Sequence, residues 1–226
     1  MEVADIFERI KLIPHPKSVD HLKRVKIDMD NALGTRVGDL RVLAKEIGTN
    51  HDLALKLWDT KNRECMMLAC LIDEPKRITN EQIEAWVLDC VNWELCDCLM
   101  CNAFEKTQMT YQKAIEWADR KEEFVKRAAF VLMARYGLKN RKITEVQIAS
   151  FWELIIRNAV DSRNMVMKAV NWALRQLGKK NSNFNQKAIK VAEEIQKLDS
   201  PAAKWIAKDA IRELKNKHIQ SRFGEK

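Results

Sequence analysis

The sequence predicts an all-α fold, a right-handed α-solenoid of HEAT- or armadillo-like two-helix repeats with about a dozen helices and a basic concave face. Three observations lead there. Among 226 residues only 6 are Gly and 4 are Pro, together about 4%, against roughly 12% in an average protein, which argues against a turn-rich β fold. Apolar residues recur at helical spacing almost throughout, and no segment alternates with period two for long enough to make a strand. The third observation is a repeat. VKRAAFVL (Val125 to Leu132), VMKAVNWAL (Val166 to Leu174) and IAKDAIREL (Ile206 to Leu214) align Ala128, Ala169 and Ala210 at a spacing of 41 residues, the period of two-helix solenoid units that bury their apolar faces against neighbours. Ala69 in CMMLACLI reads as an earlier, less regular copy. Three short copies in Ala-rich helices are also compatible with a non-repetitive helical bundle.

Taken in chain order, residues 1–33 read as atypical capping helices, and breaks fall at Pro14 to Lys17, Gly34 to Gly38, Gly48 to Asn50 and Asp73 to Asn80. Further breaks fall at Gly137 to Arg141, Gly178 to Asn183 and Asp199 to Pro201. Thr79 and Gln82 have the spacing of a capping box, and Pro201 stands at a first helical position after Ser200. Residues 215–226 read as a frayed tail. With no linker in the series, residues 1–226 are expected to form a single domain, and a monomer.

Composition narrows the function. The 46% apolar content is enough for a core, and 40 basic against 32 acidic side chains leave +8. That charge is unevenly placed. Residues 161–226 hold 15 basic and 7 acidic side chains and so carry all of it, which suits a polyanionic partner. No run approaches the roughly 18 apolar residues of a membrane span, and the acidic start is unlike a secretory signal; a cytoplasmic protein without membrane association is expected. There is no GxxxxGK[ST] or GxGxxG loop, and His15, His21, His51 and His218 lack ligand spacing. The cysteines Cys65, Cys70, Cys90, Cys96, Cys98 and Cys101 fall in one stretch. Cys98 and Cys101 form a CxxC that could hold zinc; inside a continuous helical pattern they also read as small buried hydrophobes, and no metal is expected.

Two sets of residues break the packing pattern. On the helix from Asn164 to Lys179, Val166, Ala169, Val170, Ala173, Leu174 and Leu177 share one side, while Lys168, Trp172, Arg175 and Lys179 form a stripe opposite. A cation-flanked tryptophan suits a nucleic-acid surface; it equally suits packing on the next repeat among Lys and Arg stems. Trp93, Asp97, Cys101 and Phe104 are spaced i, i+4, i+8 and i+11, which puts a carboxylate in an apolar stripe. Such a group needs a partner or a task. Arg127 is the candidate partner, and the two either staple neighbouring helices or form part of a site.

From Gly34 to Leu214 the chain resembles the AlkD-like family of bacterial DNA alkylation repair proteins, HEAT-like-repeat DNA glycosylases. The resemblance rests on GTRVGDLRVLAKEI with its Leu40-Arg41 pair, NHDLALKLWDTKNRECMMLA, WELCD, FVKRAAF, KAVNWALRQLGKKN and AKWIAKDAIREL, in that order. It implies that Asp97 is the catalytic aspartate, that Trp93 and Trp172 are the site tryptophans, and that Arg127 is the site arginine. DNA-binding positions are then expected at Arg41, Lys168, Arg175, Lys179 and Lys180. The implied activity is hydrolysis of the N-glycosidic bond of cationic alkylpurines such as 3-methyladenine and 7-methylguanine in double-stranded DNA, without metal or organic cofactor. Glu94 and the surrounding cysteines have no place in the family pattern. A helical-repeat scaffold that binds DNA or protein without catalysis is the alternative.

Overall fold

The computed structural model describes residues 2–13, 16–24, 27, 31–139 and 143–224. Among these are fourteen α-helices, two 3-10 turns and no strand. Contacts divide the chain into two compact units, one of residues 1–86 and 94–107, the other of residues 87–93 and 108–226.

The first unit contains α1 (Val3–Lys11), α2 (Pro16–Arg24), α3 (Val37–Ile47), α4 (His51–Asp59) and α5 (Arg63–Ile72). It also holds most of α6 (Asn80–Leu88) and of α7 (Trp93–Asn102), and a 3-10 turn at Phe104–Lys106. α5 packs on α3 and α4 and is buried over almost its whole length. Trp58 of α4 stacks on Trp86 of α6 with ring centroids 4.1 Å apart and planes 2° from parallel. Phe104 continues the stack at 6.5 Å. Side-chain caps start the helices, each worth about 1 kcal/mol: Asn50 Oδ1 accepts from the Leu53 N–H, and Asn62 Oδ1 accepts from those of Glu64 and Cys65. At α6 the capping box is half made. The Gln82 N–H donates to Thr79 Oγ1, but the Gln82 amide donates to Asp73 Oδ2 at 2.7 Å instead of returning to the cap. Asp73 also holds His51 Nδ1 at 2.6 Å, so this histidine ties the start of α4 to the end of α5.

The second unit contains α8 (Thr110–Glu116) with a 3-10 turn at Trp117–Asp119, α9 (Glu123–Lys139), α10 (Glu145–Asn158), α11 (Asn164–Gly178), α12 (Ser182–Ile195), α13 (Pro201–Leu214) and α14 (Lys217–Gly224). α8 pairs with α9, α10 with α11 and α12 with α13; α9, α11 and α13 make one row, and α8, α10 and α12 the other. This is a helical-repeat array. Ala128, Ala169 and Ala210 are all buried, on the second helix of successive pairs. Small side chains there let neighbouring helices approach closely. α9 is buried continuously from Ala128 to Ala134, as expected of a helix with apolar residues on all sides.

Four polar links between pairs share one offset. Asp119 binds Arg157, Arg127 reaches Met165, Asn171 meets Asp209 and Arg175 meets Glu213, each 38 residues apart. The helices repeat every 41 residues, so each contact joins a residue to the neighbour one turn short of its own equivalent.

The expected breaks at Gly137 to Arg141 and Gly178 to Asn183 contain the ends of α9, at Lys139, and α11, at Gly178; the two glycines themselves are still helical, under close packing. Pro14, His15 and Arg141 lie outside the described residues. The expected C-terminal tail carries α14, with Ile219 buried and Gln220 Nε2 donating to the Leu214 carbonyl at 2.5 Å.

Candidate nucleic-acid interface

Asp97 sits half-buried on α7 between the buried Cys96 and Cys98, with Leu95, Leu99 and Met100 filling the apolar side of the helix. Trp93, four residues earlier and also half-buried, shares its face.

α7 is anchored through the residue between them. Arg63 donates from Nε at 2.8 Å and from Nη2 at 2.6 Å to the same oxygen of Glu94. Its Nη1 donates to Glu64 Oε1 at 2.6 Å and to the Thr35 carbonyl at 3.1 Å. Glu64 is wholly buried and accepts the backbone N–H groups of Leu33, Gly34 and Thr35 at 2.8, 2.9 and 3.2 Å. Buried carboxylates require such pairing and hydrogen bonding. The GTRVG segment, α5 and the first turn of α7 are thereby fixed to one another. Sequence reasoning missed this network. Glu94 stood out, but its partner lies 31 residues away with no periodicity to point to it.

In the second unit, Arg127 is buried on α9 and its Nη1 donates to the Met165 carbonyl in the first turn of α11 at 2.7 Å. Lys126 beside it binds Asn158 Oδ1 at 2.9 Å and Asp161 at 3.5 Å. Burial pushes the Asp161 carboxyl up, and the hydrogen bonds from Arg163 more than reverse this, so it ends below its ordinary value.

The stripe on α11 divides. Lys168 is exposed and Trp172 half-buried, whereas Arg175 and Lys179 both bind Glu213 of α13. Burial acts to raise the Glu213 carboxyl, and hydrogen bonds from Lys179 and Arg175 outweigh it, leaving it below the usual range. Asn171, buried next to Trp172, donates from Nδ2 to Asp209 at 2.7 Å. Trp172 is therefore carried on a helix keyed at two points to its successor. Lys180 donates to the Gly137 carbonyl at 2.9 Å, and its pKa is lowered by burial. Arg41, on α3 of the first unit, is exposed.

All six cysteines are free thiols, and five are buried. Among the described residues no three His, Cys, Asp or Glu side chains converge to hold a metal ion, and no helix is long and apolar enough to cross a membrane.

A protein-family model described as DNA alkylation repair enzyme matches residues 8–214. A solved structure reported as a new family of proteins related to the HEAT-like repeat DNA glycosylases with affinity for branched DNA structures superposes with a TM-score of 0.79 at 18% identity, covering 94% of this chain and 95% of that one. The uncharacterized protein Lin0241 of Listeria innocua is 22% identical over 183 residues, 79% of this chain and 80% of its own length. The uncharacterized protein Lmo0209 of Listeria monocytogenes is 38% identical over 55 residues, 24% of this chain and 25% of that protein.

Proposed function

The chain belongs to the DNA alkylation repair enzyme family, and from that premise we propose that it is a monofunctional DNA glycosylase that releases cationic alkylpurines from double-stranded DNA. The observation that carries this reading is Asp97, a half-buried carboxylate on the face of α7 that also bears Trp93, at the places where the family resemblance puts its catalytic aspartate and one site tryptophan.

The chemistry suits these side chains. A 3-methyladenine or 7-methylguanine nucleoside is positively charged, so its glycosidic bond is already weakened. As that bond breaks, its electron pair goes to the base, which leaves neutral and needs no general acid. The sugar becomes oxocarbenium-like, and the Asp97 carboxylate stabilises it electrostatically and positions the water that adds to the sugar carbon. Trp93 and Trp172 offer π faces to the charged nucleoside, contacts worth about 0.5 to 2 kcal/mol each. Arg127 is the site arginine that the family resemblance implies, with a guanidinium suited to a phosphate. Arg41, Lys168, Arg175, Lys179 and Lys180 supply the backbone contacts. The protein acts as a monomer in the bacterial cytosol, where thiols remain reduced.

Incubation with methylated duplex DNA and chromatography of the freed bases tests the proposal. Release of 7-methylguanine is expected from the wild type. Asp97→Asn should bind the same DNA and release almost nothing; equal release by that variant rejects the catalytic assignment. A second reading is favoured by the fold match to a protein with affinity for branched DNA: a DNA binder without glycosylase activity, which would retain binding and release no base.

A further inference from the structure

The seven tryptophans, all among the described residues, fall into three groups. Trp58, Trp86, Trp117 and Trp152 are buried, and Trp93 and Trp172 are half-buried. Trp205, on α13, is 41% exposed. The proposed reaction has no use for it, and packing does not cover it.

Its surroundings are cationic. Along α13, Lys204, Lys208 and Arg212 are all exposed; at 100° per residue they share one face with Trp205, while Ala203, Ile206, Ala207 and Ala210 fill the opposite, buried side. The 38-residue offset that joins α11 to α13 sets Trp205 level with Met167, beside the exposed Lys168. Two acidic groups lie near. Asp199 pairs with Lys204 at 3.5 Å, both side chains being largely exposed, a contact that costs little to exchange for a phosphate. Asp209 binds Arg212 but is turned into the α11 seam by Asn171. The face therefore remains cationic, within the third of the chain that carries the whole net charge.

Resting on the reading that this protein binds DNA, we propose that the exposed face of α13 holds a single-stranded stretch of DNA next to the duplex, with Trp205 stacked on an unpaired base and Lys204, Lys208 and Arg212 along the phosphates. A duplex presents no free base face to a side chain lying on a convex helix surface; an unpaired nucleotide does, and stacking on tryptophan tolerates any base. The charge supplies affinity without sequence preference. Trp205 supplies the preference for unpaired over paired DNA.

The test compares full-length protein on a 20-base-pair duplex and on the same duplex bearing a ten-nucleotide single-stranded extension. The wild type should bind the extended DNA about tenfold more tightly or better, as expected for one stacked base. Trp205→Ala should lose that preference and leave binding to the blunt duplex unchanged, Trp205→Phe should keep most of it, and Lys208→Ala should weaken extended-DNA binding with a shallower salt dependence. Equal affinity of the wild type for the two DNAs, or an undiminished preference in Trp205→Ala, overturns the proposal while the DNA-binding reading stands. Binding to neither DNA overturns that reading and this proposal with it. Because Trp205 lies at the surface, unchanged circular dichroism of the variants serves as the folding control.

Discussion

Gly137 and Gly178 occupy equivalent places 41 residues apart on successive helices, yet what lies over them differs. A Cβ at Gly137 would stand 2.5 Å from Leu177 Cδ2, the end of a flexible side chain, whereas at Gly178 it would stand 2.7 Å from Ala188 Cβ and 2.7 Å from Leu214 Cδ2. The Ala188 carbon cannot move without α12. Gly178→Ala should therefore lose about 1 to 3 kcal/mol. At Gly137 the same change should fall within about 1 kcal/mol of neutral, because a Leu177 rotation is offset by the gain in helix propensity. Urea unfolding of the two variants checks the contrast.

The buried Arg63 anchor gives a second expectation. Arg63→Met would strip Glu94 of its partner and leave Glu64 with backbone donors alone, so unfolding should become easier by about 3 to 5 kcal/mol. Arg63→Lys restores the charge but not the planar fork, and should recover only part of the loss. Denaturant midpoints of the three proteins order them.

Acid stability should report on Glu213. Its folded pKa lies below the ordinary value, so its contribution is complete above the unfolded value of about 4.3 and is lost as pH falls through the lower folded value. Glu213→Gln should have a lower melting temperature than the wild type at pH 7, and the gap should close on acidification below pH 4. Melting curves from pH 7 to pH 3 give the comparison.

Salt dependence of DNA binding should separate Lys168 of α11 from Lys179 at its C-terminal cap. Lys168 is exposed, and Lys168→Ala should reduce the slope of log K against log salt by about one. Lys179 must leave Glu213 before it can neutralise a phosphate. Its replacement by alanine should change the slope by less.

The repeat was legible because Ala128, Ala169 and Ala210 are small where the stacked helices need small residues, and that requirement recurs with the period. Helix boundaries were legible where proline or a hydroxyl cap marks them, as at Ser200 and Pro201. The break at Thr60 to Asn62 was not, since it contains neither Gly nor Pro and depends on Asn62 accepting from Glu64 and Cys65. Gly137 set the break two residues early, because a glycine serving close approach in the last turn of a helix looks in sequence like one ending it. At the candidate site, Trp172, Asp97 and Arg127 stood out by violating their helix faces, and Trp93 by sharing the stripe that Asp97 interrupts. Their supports did not. Arg63 reaches Glu94 across 31 residues, and Lys179 turns to Glu213 across a helix interface, so neither link has a local pattern. Trp205 passed unremarked because its exposure depends on which side of α13 faces its neighbours.

The methylating electrophiles that damage purines in DNA also react with thiolates. Burial, with the Glu64 carboxylate adding to it against an opposing hydrogen bond to Thr60, pushes the Cys65 thiol up to about 11, so at neutral pH only about one molecule in ten thousand presents the nucleophilic form. Cys70, Cys90, Cys96 and Cys98 are likewise withdrawn from solvent. A member of a DNA alkylation repair family built this way carries sulfur through its framework while leaving such reagents only Cys101 within partial reach of solvent.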